Sequence, residues 1–178
     1  LEDIPCPLRG DMLVPSNPTE RNLMDYTVVE LAESRIIGPV IRTSNDAPDC
    51  SEKIGGLWQS FMGDGMAESV PDASIEPYMC YGLYYDYNRE DQSYAMMVGS
   101  ASAQGAVPER MEELIIPAGT YAKFTVHGDC VNTVVEAWNE IWAMEELTSR
   151  RTWTVDFEAY PPSDDQSDTD IDLYIAIR

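Results

Sequence analysis

The chain has 178 residues, 44% of them apolar, with 32 Asp and Glu against 11 Lys and Arg and a formal net charge of −21. A chain of this length buries roughly two-thirds of its unfolded surface, and four Trp, ten Tyr and three Phe are far more aromatic surface than a solvated acidic tail carries. The composition therefore argues for a packed domain and against disorder. The charge repels phosphate, which argues against direct binding of nucleic acid or anionic membrane and leaves cationic or neutral partners.

Residues 1–23 carry Pro5, Pro7, Pro15 and Pro18 with no sustained period and read as an irregular leader. A domain over 25–178 follows. Asp25 to Leu31 and Arg35 to Thr43 read as two strands about the turn Ala32-Glu33-Ser34. Ser51 to Met62 places Ile54, Leu57, Trp58 and Phe61 at helical spacing, and Gly63 and Gly65 end that helix. Tyr78 to Tyr87 is an aromatic strand with Tyr94 to Gly99 as its hairpin partner. The order then recurs. Glu112 to Ile116 and Thr120 to Val126 are strands about Pro117-Ala118-Gly119, and Val131 to Met144 is a helix with Val134, Val135, Trp138, Ile141 and Trp142 on one stripe. Trp153 to Tyr160 and Ile171 to Ile177 close the chain as strands.

The halves, about 25–99 and 112–177, superpose with Arg35-Ile36-Ile37 on Thr120-Tyr121-Ala122 and Leu57-Trp58 on Ala137-Trp138. This predicts an α+β fold of two pseudo-twofold-related units, with both helices on one side of an antiparallel sheet and a ligand groove between the halves.

Cys6, Cys50, Cys80 and Cys130 are widely spaced and His127 is the sole imidazole, so no metal site and no cofactor is expected. His127 reads as a turn histidine at a strand end. No stretch has the pattern of a signal peptide or the roughly 20 apolar residues of a membrane span, and the chain reads as cytoplasmic. A homodimer through exposed strand edges is compatible with the architecture.

Alternation along Trp153 to Tyr160 places Trp153, Val155 and Phe157 on one face and Glu158 and Tyr160 on the other. With the apolar set assigned to the helix-packed core, Glu158 and Tyr160 point to the opposite face and the groove. Laying Tyr84-Tyr85-Asp86-Tyr87 on Phe157-Glu158-Ala159-Tyr160 adds Tyr85, and period two adds Tyr81. A carboxylate among aromatic rings suits a lipophilic cation; the same residues are also ordinary on a solvent-facing sheet. Trp138 and Trp142 are core candidates, with Trp142 near enough to the end of its stripe to reach a pocket. No nucleophile motif such as GxSxG is present to support acyl transfer.

The stretches Val28-Val29-Glu30-Leu31, Ile115 to Phe124, Glu136 to Trp142, Phe157-Glu158-Ala159-Tyr160 and Leu173 to Ile177 together resemble the gyrase-inhibitor-like small-molecule-binding domain, which is also the effector-binding domain of AraC-type and MerR-type multidrug-sensing regulators. The resemblance implies a groove that takes small, often cationic and aromatic molecules, with Glu158 and Trp142 in it. The length leaves no room for a helix-turn-helix domain, so a stand-alone version is expected, similar to those of mobile gene cassettes on integrons. The leading expectation is a protein that senses or sequesters cationic aromatic drugs or toxins, with Glu158 as the charge and Tyr81, Tyr85, Trp138, Trp142 and Tyr160 as ring contacts. Two alternatives stay open: a hydrolase of strained-ring genotoxic molecules in which Glu158 activates water, and an acidic protein-interaction module.

Overall fold

The computed structural model describes residues 24–73, 78–163 and 165–178, so the leader expected over 1–23 lies outside the described residues. The strands are β1 (Thr27–Leu31), β2 (Ser34–Gly38), β3 (Val40–Ser44), β4 (Cys80–Asn88), β5 (Ser93–Ala101), β6 (Glu112–Ile116), β7 (Gly119–Gly128), β8 (Val155–Tyr160) and β9 (Thr169–Ala176). The helices are α1 (Cys50–Trp58), which runs into a π-helical turn at Gln59–Gly63, α2 (Asn132–Ala143) and the short α3 (Glu145–Arg150), which the periodicity did not reveal.

All nine strands join one antiparallel sheet in the order β1-β7-β9-β8-β4-β5-β2-β6, with β3 also on β5. The order is palindromic about the β8/β4 contact: β1 corresponds to β6, β7 to the bent β2–β3 strand, β9 to β5 and β8 to β4. The expected turns at 32–34 and 117–119 do not make hairpins. Instead β1 pairs with β7 of the other half, Leu31 opposite Gly119, and β6 pairs with β2, Ser34 opposite Ile116. Each half thus donates its first strand to the other.

That exchange curls the sheet. β1 and β2 stand six places apart in the strand order, roughly 29 Å in a flat sheet at about 4.8 Å per strand. Only Ala32 and Glu33 connect them, a reach of about 11 Å. The same constraint acts on β6 and β7, so the two ends of the sheet must approach each other. At the β2–β3 bend, a Cβ on Gly38 would lie 1.9 Å from the Val98 carbonyl oxygen, so only glycine admits the strands this closely.

Two apolar clusters fill the two faces. Inside the curl lie Ile36, Leu83, Met97, Tyr121, Val155 and Phe157, all buried. On the other face both main helices pack over the sheet: Ile54 and Leu57 of α1, and Val134, Ala137, Trp138 and Ile141 of α2. The α2 set follows the i, i+3, i+4, i+7 pattern of a helix with one buried stripe. Asp129 fixes the start of α2, its carboxylate accepting the backbone N–H of Val131 at 2.9 Å and of Asn132 at 2.8 Å. No helix among the described residues is long and apolar enough to cross a membrane.

Candidate functional site

Between α1 and α2, above the central strands β4 and β8, is a cavity of about 1000 Å³. Its walls are largely apolar and aromatic: Ile54 and Trp58 from α1, Val134 and Val135 from α2, Tyr84 from β4 and Tyr160 from β8. The chain just after β8, Pro161 to Ser163, with Gln166 and Thr169, forms one side. Glu158 lies at the floor and is only 1% exposed.

Glu158 is held by donors from both halves. Tyr84 Oη donates to Oε1 at 2.9 Å, Trp138 Nε1 donates to Oε1 at 2.5 Å, and Tyr160 Oη donates to Oε2 at 2.6 Å. Burial pushes its pKa upward, and the three hydrogen bonds to the ionised form oppose that shift. Among the described residues, no ion pair involves Glu158 and no basic side chain lines the cavity. The site is therefore a buried carboxylate, hydrogen-bonded to neutral donors and without a counter-charge among the described residues.

The cage around it follows the internal symmetry. Gly82 pairs directly with Glu158 across the β4/β8 contact, and laying one on the other sets Tyr84 on Tyr160, each donating to a different oxygen of the same carboxylate. Trp58 corresponds to Trp138. Trp58 meets Tyr160 edge-on with ring centroids 5.1 Å apart, and Trp138 meets Tyr84 edge-on at 5.2 Å. Two tryptophans and two tyrosines thus surround one glutamate whose symmetry mate is a glycine.

Several expectations from the sequence require correction. Glu158 and Tyr160 face the helices, not the opposite face, and the cavity lies on the helix side, whereas Val155 and Phe157 point into the curl. The aromatic Trp153 does not continue the apolar face. It sits before β8 at φ 60° and packs on Trp142. Tyr81 and Tyr85 share the Phe157 face and are kept from the cavity by the sheet itself. For Tyr81 and Tyr85 the cause is a register slip. The sequence superposition used an offset of 158 − 85 = 73, an odd number, whereas the pairing of Gly82 with Glu158 gives 158 − 82 = 76; an odd slip sends every side chain to the wrong face.

Trp138 is fully buried and holds Glu158 from α2 through its indole N–H. Trp142 lies away from the cavity, against the guanidinium of Arg151 with 4.5 Å between charge and ring centroid. Arg151, 3% exposed, pairs with Asp156, 0% exposed, which also accepts bonds from Tyr87 Oη at 2.8 Å and the Ala176 N–H at 2.9 Å. Trp153 stacks on the same guanidinium at 4.0 Å. Tyr84, Gly82, Trp58 and Tyr78 belong to the surroundings of Glu158 or its cavity and were missed as site residues. Trp58 stood on the helical stripe in sequence, and correct parity on β4 would have found Tyr84 and Gly82.

Residues 27–177 match the family of integron-associated effector-binding proteins (Cass2) over most of the chain. The chain belongs to that family. It is also 29% identical over 160 residues to the putative transcriptional regulator YobU of Bacillus subtilis, covering 85% of this chain and 96% of that protein. Among solved structures it resembles the integron cassette protein VCH_CASS2 of Vibrio cholerae, with a TM-score of 0.68 and 24% identity over 86% of this chain and 95% of the other. It likewise resembles SAV2435 bound to tetraphenylphosphonium, with a TM-score of 0.71 and 15% identity over 87% and 94%. At these identities the structural likenesses concern the fold, a curled antiparallel sheet with few helices.

Proposed function

We propose that this effector-binding protein takes up a lipophilic, monovalent organic cation in the cavity between α1 and α2, with Glu158 as the counter-charge and Trp58, Tyr84 and Tyr160 as ring contacts, and that it serves to sense or sequester such compounds. The observation that carries the reading is Glu158: a carboxylate 1% exposed, facing a cavity and lacking a cationic partner among the described residues. An unpaired buried carboxylate is costly to keep. An arriving cation removes that cost, and rings around it add about 0.5–2 kcal/mol each.

The chain supplies its own comparison two residues away. Asp156 lies on the same face of β8 and is also ringed by aromatics, but there the cation is present as Arg151 between Trp142 and Trp153. Glu158 has the carboxylate and the rings with the cation missing. The tetraphenylphosphonium complex of a protein with this fold makes that ion the natural probe.

The test is a titration of intrinsic tryptophan fluorescence with tetraphenylphosphonium and with tetraphenylborate, which matches it in shape and reverses its charge. Binding of the cation in the micromolar range, about −8 kcal/mol, with far weaker binding of the anion is expected. Equal affinities would contradict the reading.

A further inference from the structure

Helix α1 carries Gly55 and Gly56 in the middle of its nine residues, and glycine disfavours a helix interior more than any residue but proline. Neither has the positive φ that would make glycine necessary. The buried stripe of α1 is Cys50, Ile54 and Leu57, so the glycines are not there to bring the helix closer to the sheet, and a Cβ on Gly56 would meet nothing within 4 Å. What they face is the cavity. On a helix the surface neighbours of a residue stand three and four positions away; for Gly55 these are Ser51, Glu52, Trp58 and Gln59, and all four line the cavity together with Gly55 itself. Gly55 is therefore the centre of the cavity-facing surface of α1. Gly56 is at its edge, since its neighbours Lys53 and Ser60 do not line the cavity. A Cβ on a helix leans toward the preceding turn, so a side chain at 55 would stand over Ser51 and Glu52, inside the cavity. Under the pairing of Trp58 with Trp138, the counterpart of Gly55 is Val135, which lines the α2 wall. One wall thus presents a side chain where the other presents bare backbone.

We infer that Gly55 is a specificity-determining residue: its missing side chain admits cations with a bulky, multi-ring body, which rests on the backbone of α1 while the charge faces Glu158. The inference rests on the cation-binding reading above and adds the residue that limits ligand size. Glu158, 1% exposed and without a cation among the described residues, is the independent sign of a ligand in the same cavity. The path from the carboxylate to Gly55 is short. Tyr160 donates to Glu158, Trp58 meets Tyr160 edge-on, and Gly55 lies one helical turn from Trp58, about 5.4 Å along the axis. A single small ring beside Glu158 stops at Trp58, whereas a body of several rings extends to Gly55. The cavity volume of about 1000 Å³ is at the upper end for sites of drug-sized ligands. A side chain at 55 takes that volume from the large ligand and leaves the carboxylate and its rings in place.

The experiment titrates tetraphenylphosphonium and trimethyl(phenyl)phosphonium, which share the charged atom and differ by three rings, into the wild type, Gly55→Ala and Gly55→Leu by calorimetry. The wild type is expected to prefer the larger cation, and the ratio of the two affinities to fall by at least about tenfold in Gly55→Leu and about threefold in Gly55→Ala. Thermal unfolding of Gly55→Ala is expected at a higher temperature than wild type, because alanine favours the helix. Weaker binding of the large cation by a more stable protein is not a folding defect. No preference for the larger cation in the wild type, an unchanged ratio in the folded variants, or a lowered unfolding temperature in Gly55→Ala would each overturn the inference and leave the cation-binding reading standing. Failure of both cations to bind the wild type would overturn both. Gly55→Ala decides the matter if Gly55→Leu does not fold.

Discussion

At the scale of single residues, the proposed role of Glu158 makes binding depend on pH. Its pKa is raised above the ordinary 4.5 by burial, so between 4.5 and the raised value the folded protein holds a proton that the unfolded chain has lost. In that window the contribution of Glu158 to stability falls as pH rises. A cation beside the carboxylate stabilises its ionised form and brings the pKa back down, so cation affinity increases with pH through the same window and binding releases a proton. Calorimetry in buffers of different ionisation enthalpy measures this directly. Release of a fraction of one proton at the acid side of neutrality, diminishing as pH rises, is the expected outcome. Proton uptake, or affinity that is flat from pH 4.5 to neutrality, would show that Glu158 is not the group facing the ligand. The residue was legible in the sequence because alternation over Trp153 to Tyr160 set Glu158 and Tyr160 together. Its direction was not, because an Asp-Phe-Glu stretch does not say which face meets helices when both faces of the sheet are buried. Apolar residues inside the curl satisfied the pattern equally well.

At the scale of elements, α3 and β8 are fastened by Arg151 and Asp156. The ion pair is sealed by Trp142, Trp153 and Tyr87, and the Asp156 carboxylate also receives the Ala176 N–H of β9. Asp156 and Glu158 stand on one face of β8, so this anchor holds the strand that carries the site. Arg151→Met keeps the length of the side chain and leaves Asp156 buried without its cation, a loss of about 3–5 kcal/mol. Urea unfolding measures it, and a change below about 1 kcal/mol would mean that the pair contributes little to holding β8. None of this was visible in sequence. Arg151 follows a six-residue helix with no period of its own, and Trp142, a core candidate by its helical stripe and a groove residue by the family resemblance, has as its partner a guanidinium from beyond the helix end. Trp138 shows the same limit from the other side: the stripe correctly made it buried but could not show that its N–H reaches a carboxylate on β8.

At the scale of the whole molecule, duplication was legible because the order of strands and helices repeats, and the two helices do share one side of the sheet. The exchange of β1 and β6 between halves was not, because short turns at 32–34 and 117–119 read locally as hairpins, and only the closure of the sheet makes a non-pairing connection of that length feasible. The symmetry explains why the aromatic cage holds a single buried carboxylate. Tyrosines and tryptophans come in matched pairs from the two halves, but the position equivalent to Glu158 is Gly82, so one carboxylate serves the whole cage. Around that cage the chain carries a net charge of −21, spread over 32 acidic residues. On the proposed reading, the one buried carboxylate, and not this diffuse field, selects the ligand. Surface charge is screened within about 8 Å at physiological ionic strength, and a buried charge much less. The most direct measurement is calorimetric titration of tetraphenylphosphonium into the wild type and Glu158→Gln at fixed ionic strength of about 0.15 M. The account predicts a folded variant whose affinity is lower by about ten- to hundredfold, a change of about 1.5–3 kcal/mol for one acid among many. Unchanged affinity in a folded Glu158→Gln protein would contradict it.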